Sequence, residues 1–115
     1  MQLYLEHSQN KYPTIRDIRS KLRYNIIHPL RIGILDAFIV GSEAKGTARS
    51  DSDLDVAIII NPIRGKSALQ YTDQYHQYFS DEVTTPHWGD RKLDFQFFYP
   101  DDPELQTYQK IQLLP

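Results

Sequence analysis

The chain of 115 residues contains no cysteine. That absence excludes a disulfide scaffold and a zinc site with thiolate ligands, and it is compatible with the cytoplasmic location that we predict. No apolar run approaches the roughly 18 residues that a membrane-spanning helix needs. The first residues, Met-Gln-Leu-Tyr-Leu-Glu-His, do not resemble a signal peptide. We therefore expect neither a membrane segment nor a membrane partner.

An excess of positive charge is also missing. Thirteen lysines and arginines stand against fifteen acidic residues, which gives a formal net charge of −2. Proteins that bind nucleic acid usually present a basic face, so the composition argues against general nucleic-acid binding and leaves room only for a local basic patch. The length suits a single domain over residues 1–115. Residues 1–12 are mixed and polar, and we predict a loosely attached N-terminal arm there.

The stretch that organises the chain reads G-S-E-A-K-G-T-A-R-S-D-S-D-L-D-V-A-I-I-I from Gly41 to Ile60. Its last seven residues are β-branched or apolar on both faces apart from Asp55, which predicts a central strand over 54–60. An unpaired carboxylate in such a run costs several kcal/mol, and a divalent cation is the natural compensation. Asp53 and Asp55 project from the same face of a strand. Two oxygen donors on rigid backbone suit Mg²⁺ or Mn²⁺.

A predicted strand over 34–40 leads into Gly41-Ser42, where a short helix over 42–47 is expected. Glycine allows the backbone to approach a ligand closely, and free N–H groups at a helix start attract an anion. An anion site beside a cation site indicates a metal-bound nucleoside triphosphate. Lys45 and Arg49 are candidates to neutralise phosphate charge, or they are ordinary surface residues.

Two other motifs fail on inspection. A phosphate-binding loop of the Walker A type requires Gly-Lys-Ser/Thr, but Gly46 is followed by Thr-Ala. A calcium-binding EF-hand loop that began at Asp51 would have Val56 in place of its glycine and Pro62 in place of its bidentate glutamate. Neither site is therefore predicted.

The two-part motif, Gly-Ser followed after ten residues by Asp-Leu-Asp, resembles that of the DNA polymerase β-type nucleotidyltransferase superfamily. Within it, the chain is most similar to the minimal nucleotidyltransferase (MNT) group, over about residues 34–99. The resemblance implies an α/β (α+β) fold, a small mixed sheet with helices packed on it. It also implies a third carboxylate on a later strand, and Asp94 in K-L-D-F-Q-F-F fits that position. Glu43 and Lys45 stand where arginine is common, and only Lys45 keeps the charge.

The resemblance implies transfer of a nucleoside monophosphate, AMP from ATP, to a hydroxyl acceptor. The catalytic residues, which are also the ligands of two Mg²⁺ ions, would be Asp53, Asp55 and Asp94. The nucleotide and phosphate ligands would be Gly41, Ser42, Lys45 and Arg49. MNT proteins are often paired with HEPN-domain toxins, and some adenylylate the toxin at a tyrosine, so a HEPN-type partner and an antitoxin role are implied.

Two alternatives to that role stay open. One is a small-molecule nucleotidyltransferase of the aminoglycoside type, which usually needs a further helical domain or a dimer to enclose its substrate. The other is a non-catalytic module that neutralises a partner by occlusion. Asp94 itself has an alternative interpretation, since a lone aspartate in a strand can pair with Arg91 or Lys92.

The flanking sequence predicts three more helices and one more strand. A capping box at Thr14 begins a helix over 14–28 that Pro29 would stop. A helix after Ser67 carries an aromatic stripe that we assign to the core, with His76 on the surface. A loop over 80–90 holds His87 and Trp88, which would either stack on a base or anchor the loop. A strand over 92–99 and a helix from 103 to about 111 complete the prediction.

Overall fold

The computed structural model describes residues 11–81 and 83–115, so all but the last two residues of the predicted arm over 1–12 lie outside the described residues. The main helices are α1 (Ile15–Leu22), α2 (Gly41–Lys45) and α3 (Ala68–Tyr78). The strands are β1 (Ile34–Val40), β2 (Leu54–Ile60), β3 (His87–Trp88), β4 (Arg91–Phe98) and β5 (Ile111–Gln112).

The five strands form one mixed sheet in the order β3-β4-β2-β1-β5. The central pair, β2 and β4, is parallel, and the other three pairs are antiparallel. The predicted α/β fold with a small mixed sheet is confirmed. The central place of β2 is confirmed too, and it follows from a strand that is apolar on both faces.

The two faces of the sheet are covered unequally. The first face packs against α1 and α3, and its core includes Leu22 and Tyr71 from the helices and Val56 and Phe95 from the strands. The opposite face carries a smaller cluster, which consists of Val40, Ala57, Ile59, Phe98 and Leu105. Because side chains alternate along a strand, Asp55 lies on this second, thinly covered face.

Helix α1 begins where the sequence predicts it. The Thr14 side chain accepts from the Asp17 N–H at 3.1 Å, and Asp17 accepts from the Thr14 N–H at 2.9 Å. Its end is not where it was predicted, because the helix passes Pro29 through a π-helical turn (Arg23–Ile27) and a last turn (His28–Leu30). Proline lacks an N–H and is tolerated near the start of that turn.

Helix α3 covers the outer edge of β4 with its own polar groups. The Tyr75 hydroxyl donates to the Leu93 carbonyl at 2.9 Å, and the Thr72 hydroxyl accepts from the Phe97 N–H at 2.9 Å. Strand-edge groups need such partners. The predicted aromatic stripe is therefore in the core, except that Tyr78 is 56% exposed.

The predicted helix from 103 to about 111 is wrong. A short 3₁₀ turn (Pro103–Gln106) is followed by β5, which pairs with β1 through Ile39 and Ile111. The outer edge of β1 offers unpaired backbone groups, and a strand satisfies them where a helix would not. Leu113 then donates its N–H to the Ala37 carbonyl at 3.1 Å and is buried.

Among its described residues, the predicted loop over 80–90 contains one regular element, β3, which forms a hairpin with β4. Trp88 is half-buried against the core, and the Lys21 ammonium lies 5.8 Å from the centre of its ring. The anchoring interpretation of this loop fits these contacts. No helix among the described residues is long and apolar enough to span a bilayer.

Candidate functional site

Two of the predicted acidic residues lie side by side. Asp55 of β2 and Asp94 of β4 are register partners in the parallel pair, so their side chains leave the sheet from the same face. Asp53 immediately precedes β2 and is exposed, whereas Asp55 and Asp94 are half-buried. The sheet thus gathers the three carboxylates at the N-terminal ends of two neighbouring strands.

The electrostatics of Asp55 reflect this arrangement. Burial raises the pKa of the Asp55 carboxyl, and the charges of Asp94 and Asp53 raise it further, while Arg91 opposes them. Both effects disfavour the ionised form, because the carboxylate loses water and gains like charges as neighbours. A cation bound at this point would relieve that unfavourable energy.

The residues fit a hard cation in kind and in proximity. Carboxylates on two rigid strands supply the oxygen donors that Mg²⁺ prefers. They are not preassembled, however: within residues 11–81 and 83–115, no three His, Cys, Asp or Glu side chains are already arranged as a metal site. Asp94 Oδ1 lies 2.7 Å from His76 Nε2. A role of the three aspartates as metal ligands stays a prediction.

Gly41 lies directly against Asp55. Its φ is +68°, and a Cβ atom at this position would overlap Asp55 Oδ2. The contact arises because Val40, the last residue of β1, is the register partner of Asp55. Only glycine meets both demands, a left-handed backbone and room for a carboxylate. The Gly-Ser turn and the Asp55 carboxylate are therefore in direct contact.

The remaining predicted nucleotide ligands surround this turn. Ser42 is half-buried in α2, and its carbonyl accepts from the Thr47 N–H at 2.9 Å. Lys45 and Arg49 are exposed. Arg49 and Ser52 exchange hydrogen bonds at 2.9 and 3.1 Å, which closes the turn that leads into Asp53. Their roles toward phosphate stay predictions.

An ion pair that was not predicted links α2, which follows the Gly-Ser turn, to the start of β4. Arg91 Nη1 lies 2.7 Å from Glu43 Oε1, and Arg91 Nε donates to the Ser52 carbonyl at 2.9 Å. The Tyr12 hydroxyl donates to the other Glu43 oxygen at 2.7 Å. These hydrogen bonds, that of Tyr12 first, lower the pKa of Glu43. Glu43, which stands where the resembled family commonly has arginine, is thus engaged in contacts within the protein. That difference from the family motif was the one sequence signal that could have pointed to these contacts.

His76 is the second residue that sequence reasoning missed. It lies on α3, and its ring nitrogen is the partner of Asp94 at 2.7 Å, with 48% and 29% of the two side chains exposed. Arg91, a predicted alternative partner of Asp94, contacts Glu43 instead. No sequence signal identifies His76, because the contact depends on how α3 lies beside β4.

Comparison with known proteins gives one family. The family model described as a nucleotidyltransferase domain matches residues 15–112. The matched span contains α1, both aspartate-bearing strands, the Gly-Ser turn and α3. Neither a curated protein nor a solved structure matched the chain.

Proposed function

This chain belongs to the nucleotidyltransferase domain family, and on that premise we propose that it transfers AMP from ATP to a hydroxyl acceptor. In this reaction the bond between the α-phosphorus and the bridging oxygen breaks, and a bond from the α-phosphorus to the acceptor oxygen forms. Pyrophosphate leaves with the electron pair, and the acceptor proton goes to a base. The observation that carries the proposal is the contact of Gly41 with Asp55, with Asp94 in register beside it.

The Gly-Ser turn is proposed to hold the β- and γ-phosphates. A backbone without a side chain at Gly41 leaves space for phosphate oxygens, and the Ser42 hydroxyl offers a donor. Lys45 and Arg49 lie in α2 and in the turn after it, and both are exposed, so they are available to an approaching triphosphate. These four residues would retain the leaving pyrophosphate.

The carboxylates of Asp53, Asp55 and Asp94 are proposed as the ligands of Mg²⁺. The chemistry that Mg²⁺ supplies in such sites is neutralisation of phosphate charge and a lower pKa for a hydroxyl bound to it. Asp55 is half-buried and would contribute a rigid ligand, since β2 and the contact with Gly41 fix its position. Asp53 is the exposed end of the set.

Asp94 is the proposed acceptor of the proton. Its side chain lies on the α3 side of Asp55, away from the Gly-Ser turn, so a hydroxyl can reach it from the open face. The His76 ring nitrogen lies 2.7 Å from Asp94 Oδ1 and would hold that oxygen in place. His76 would act as a positioning residue in this step.

The acceptor that we propose is a tyrosine of a HEPN-type toxin, which would make the protein an antitoxin. This finer proposal comes from the resemblance to MNT proteins. What favours a macromolecular acceptor is the thin cover on the aspartate-bearing face, where the described cluster has only five buried members. An acceptor side chain presented by another protein would complete that cover.

A second candidate, a non-catalytic module that neutralises its partner by occlusion, is favoured by one observation. Asp94 is engaged by His76, and the described residues hold no preassembled metal site. If this arrangement persists with nucleotide present, the carboxylates would serve binding alone.

The test uses purified protein, labelled ATP, Mg²⁺ and the product of the adjacent gene as the acceptor. We expect one AMP adduct on the partner by intact mass, reduced at least about 100-fold in rate by Asp55→Asn, since the reaction loses a charge that stabilises its transition state. The matched control is Asp51→Asn, an exposed aspartate in the same loop, which should react like wild type. A tight complex with unchanged masses, and neutralisation that survives Asp55→Asn, would favour occlusion instead.

A further inference from the structure

A cavity of about 330 Å³ opens between the π-helical turn and helix α3, at the lower end of the range of about 300–1,000 Å³ that holds small ligands. None of the described residues that line it is Asp, Glu, Lys, Arg or His. The lining consists of two aliphatic side chains, one phenol and three amides, from Ile26, Leu30, Tyr78, Asn25, Gln74 and Gln77. Such a lining suits a neutral, flat group that offers hydrogen-bond donors and acceptors at its edge.

The cavity lies apart from the proposed active site. Gln74 and Tyr78 are four residues apart on α3, so they share one flank of the helix. His76, the partner of Asp94, is two residues from each of them and therefore lies on the opposite flank. Helix α3 thus separates the cavity from Asp94, and a molecule bound in the cavity would be a second ligand of the protein.

The polar groups of the cavity are only partly used by the fold. The Tyr78 hydroxyl donates to Asn25 Oδ1 at 3.0 Å, which joins the π-helical turn to α3. The side chains of Gln74 and Gln77 are exposed and make no hydrogen bond to another described residue. Each of their amides offers both donors and an acceptor. These two side chains are therefore available to the edge of a ligand.

An aromatic ring and a cation border the cavity. Tyr78 is 56% exposed, and its ring packs edge-to-face on Phe79 with 4.8 Å between the ring centres. Lys21 precedes Asn25 by about one helical turn, and its ammonium lies 5.8 Å from the centre of the Trp88 ring. Lys21 is exposed and forms no ion pair with any described residue. A flat ligand can therefore stack on Tyr78 while an anionic group attached to it reaches Lys21.

We infer that this cavity is a second nucleotide-binding site, in which an adenine base lies against Tyr78 and its phosphate contacts Lys21. In nucleic-acid recognition, asparagine and glutamine amides pair with the edge of adenine, whereas arginine and lysine favour guanine and acidic side chains favour cytosine. Stacking of a base on an aromatic ring adds affinity. A free adenine nucleotide and single-stranded RNA share this chemistry. The inference does not depend on the proposed reaction, because no residue of the cavity belongs to the aspartate site.

Binding is measured by NMR titration of the full chain with AMP, adenosine and CMP in the absence of Mg²⁺. We expect the side-chain amide signals of Asn25, Gln74 and Gln77 to shift with AMP. The backbone N–H signals of Gly41 and Ser42 report the Gly-Ser turn separately in the same spectra. AMP should bind about three-fold more tightly than adenosine, because one exposed charge contact contributes. It should bind roughly ten-fold more tightly than CMP, because the amides pair with adenine.

Two variants test the two parts of the site, and each has a matched control. Tyr78→Leu should weaken AMP binding about ten-fold because it removes the stacking ring. Tyr24→Leu, at an exposed tyrosine outside the lining, should leave the affinity unchanged. Lys21→Gln should abolish the preference for AMP over adenosine, and Arg64→Gln, at an exposed cation in the turn after β2, should keep it. All four side chains are exposed, so the variants should fold, and thermal unfolding checks this.

Shifts confined to the Gly-Ser turn, equal affinity for AMP and CMP, or AMP binding that Tyr78→Leu leaves intact would each overturn the inference. The amide shifts should persist in Asp55→Asn, since that change lies in the aspartate site, and their loss there would also count against a separate cavity. Titration with hexa-adenylate RNA identifies the source of the base. An affinity about ten-fold above that of AMP, which falls as salt is added, indicates RNA, and an affinity no higher than that of AMP indicates the free nucleotide. Both of these results support the site.

Discussion

Two close side-chain pairs border the candidate site, the Glu43–Arg91 ion pair and the contact between Asp94 and the His76 ring, and they differ in exposure although their lengths are equal. Glu43 with Arg91 and Asp94 with His76 both have a closest approach of 2.7 Å. The first pair leaves 11% and 18% of its side chains exposed, whereas the second leaves 29% and 48%. A short distance alone does not decide how much a pair contributes.

The two pairs also differ in the number of further hydrogen bonds that their side chains make. Arg91 also binds the Ser52 carbonyl, and Glu43 also accepts from Tyr12, so one network joins the start of β4, the loop before Asp53 and the segment before α1. The contact that His76 makes with Asp94 joins only α3 and β4. The comparison teaches that the Glu43–Arg91 pair belongs to a network that joins several segments, whereas the contact between His76 and Asp94 joins one helix to one strand.

The largest expected effect comes from Arg91→Gln. It should lower the free energy of unfolding by about 2–3 kcal/mol, because Glu43 would lose its closest cation and keep only the Tyr12 hydroxyl and the more distant Lys11 ammonium at 3.7 Å. The matched change on the other side, His76→Gln, should cost about 0.5 kcal/mol or less, as expected of a half-exposed pair. Urea unfolding at pH 7 measures both. Equal losses would remove the distinction between the two pairs.

Gly41→Ala should have the second-largest effect and should lower the free energy of unfolding by about 2 kcal/mol. It combines the cost of a left-handed alanine with the overlap of its Cβ and Asp55 Oδ2. Gly65→Ala is the control, since Gly65 has a similar φ of +79° and open space around it, and it should lose about 1 kcal/mol. In a double-mutant cycle, Asp55→Ala should rescue Gly41→Ala by about 1 kcal/mol. Absence of coupling would show that the turn and the carboxylate are independent.

The smallest effects are those of pH, and they have opposite signs. The pKa of Glu43 lies below its ordinary value of 4.5, so its ionised form stabilises the fold above pH 4.5, and this contribution is lost on acidification below that value. The pKa of Asp55 lies above its ordinary value of 3.8, so its ionisation destabilises the fold as pH rises above 3.8.

Chemical unfolding between pH 3 and 7 separates the two contributions. The deficit of Glu43→Gln relative to wild type should shrink as the pH falls below 4.5, and the stability of Asp55→Asn relative to wild type should rise with pH. A parallel response of the two variants would contradict the opposite pKa shifts. Asp51→Asn serves as the reference variant for both.

The sequence predicted the centre of the molecule best. A run such as Leu54–Ile60 is too apolar to leave either face in water, so its place in the middle of a sheet follows from composition alone. The capping box at Thr14 depends only on residues three apart in the sequence, so it could be predicted in the same way. The resemblance then added Asp94, which no local pattern would have connected to Asp55.

The wrong predictions concern two helix boundaries, where contacts elsewhere in the fold outweighed a local sequence signal. Pro29 predicts a helix end, but a π-helical turn accommodates it and carries the helix on to Leu30. Pro103 predicts a helix start, but Ile111 and Gln112 form a strand that pairs with the open edge of β1. Propensity is a weak prior against unpaired backbone groups at a sheet edge.

The sequence by itself determined the central strand β2 and the identity of the acidic and glycine residues, because alternation and spacing are properties of the chain, whereas the mixed sheet was implied by the family resemblance. Only the tertiary structure decided the partners of those residues. Register sets Asp55 against both Gly41 and Asp94, and the docking of α3 brings His76 to Asp94. Contacts between residues far apart in sequence depend on how elements pack, and no local pattern encodes that packing.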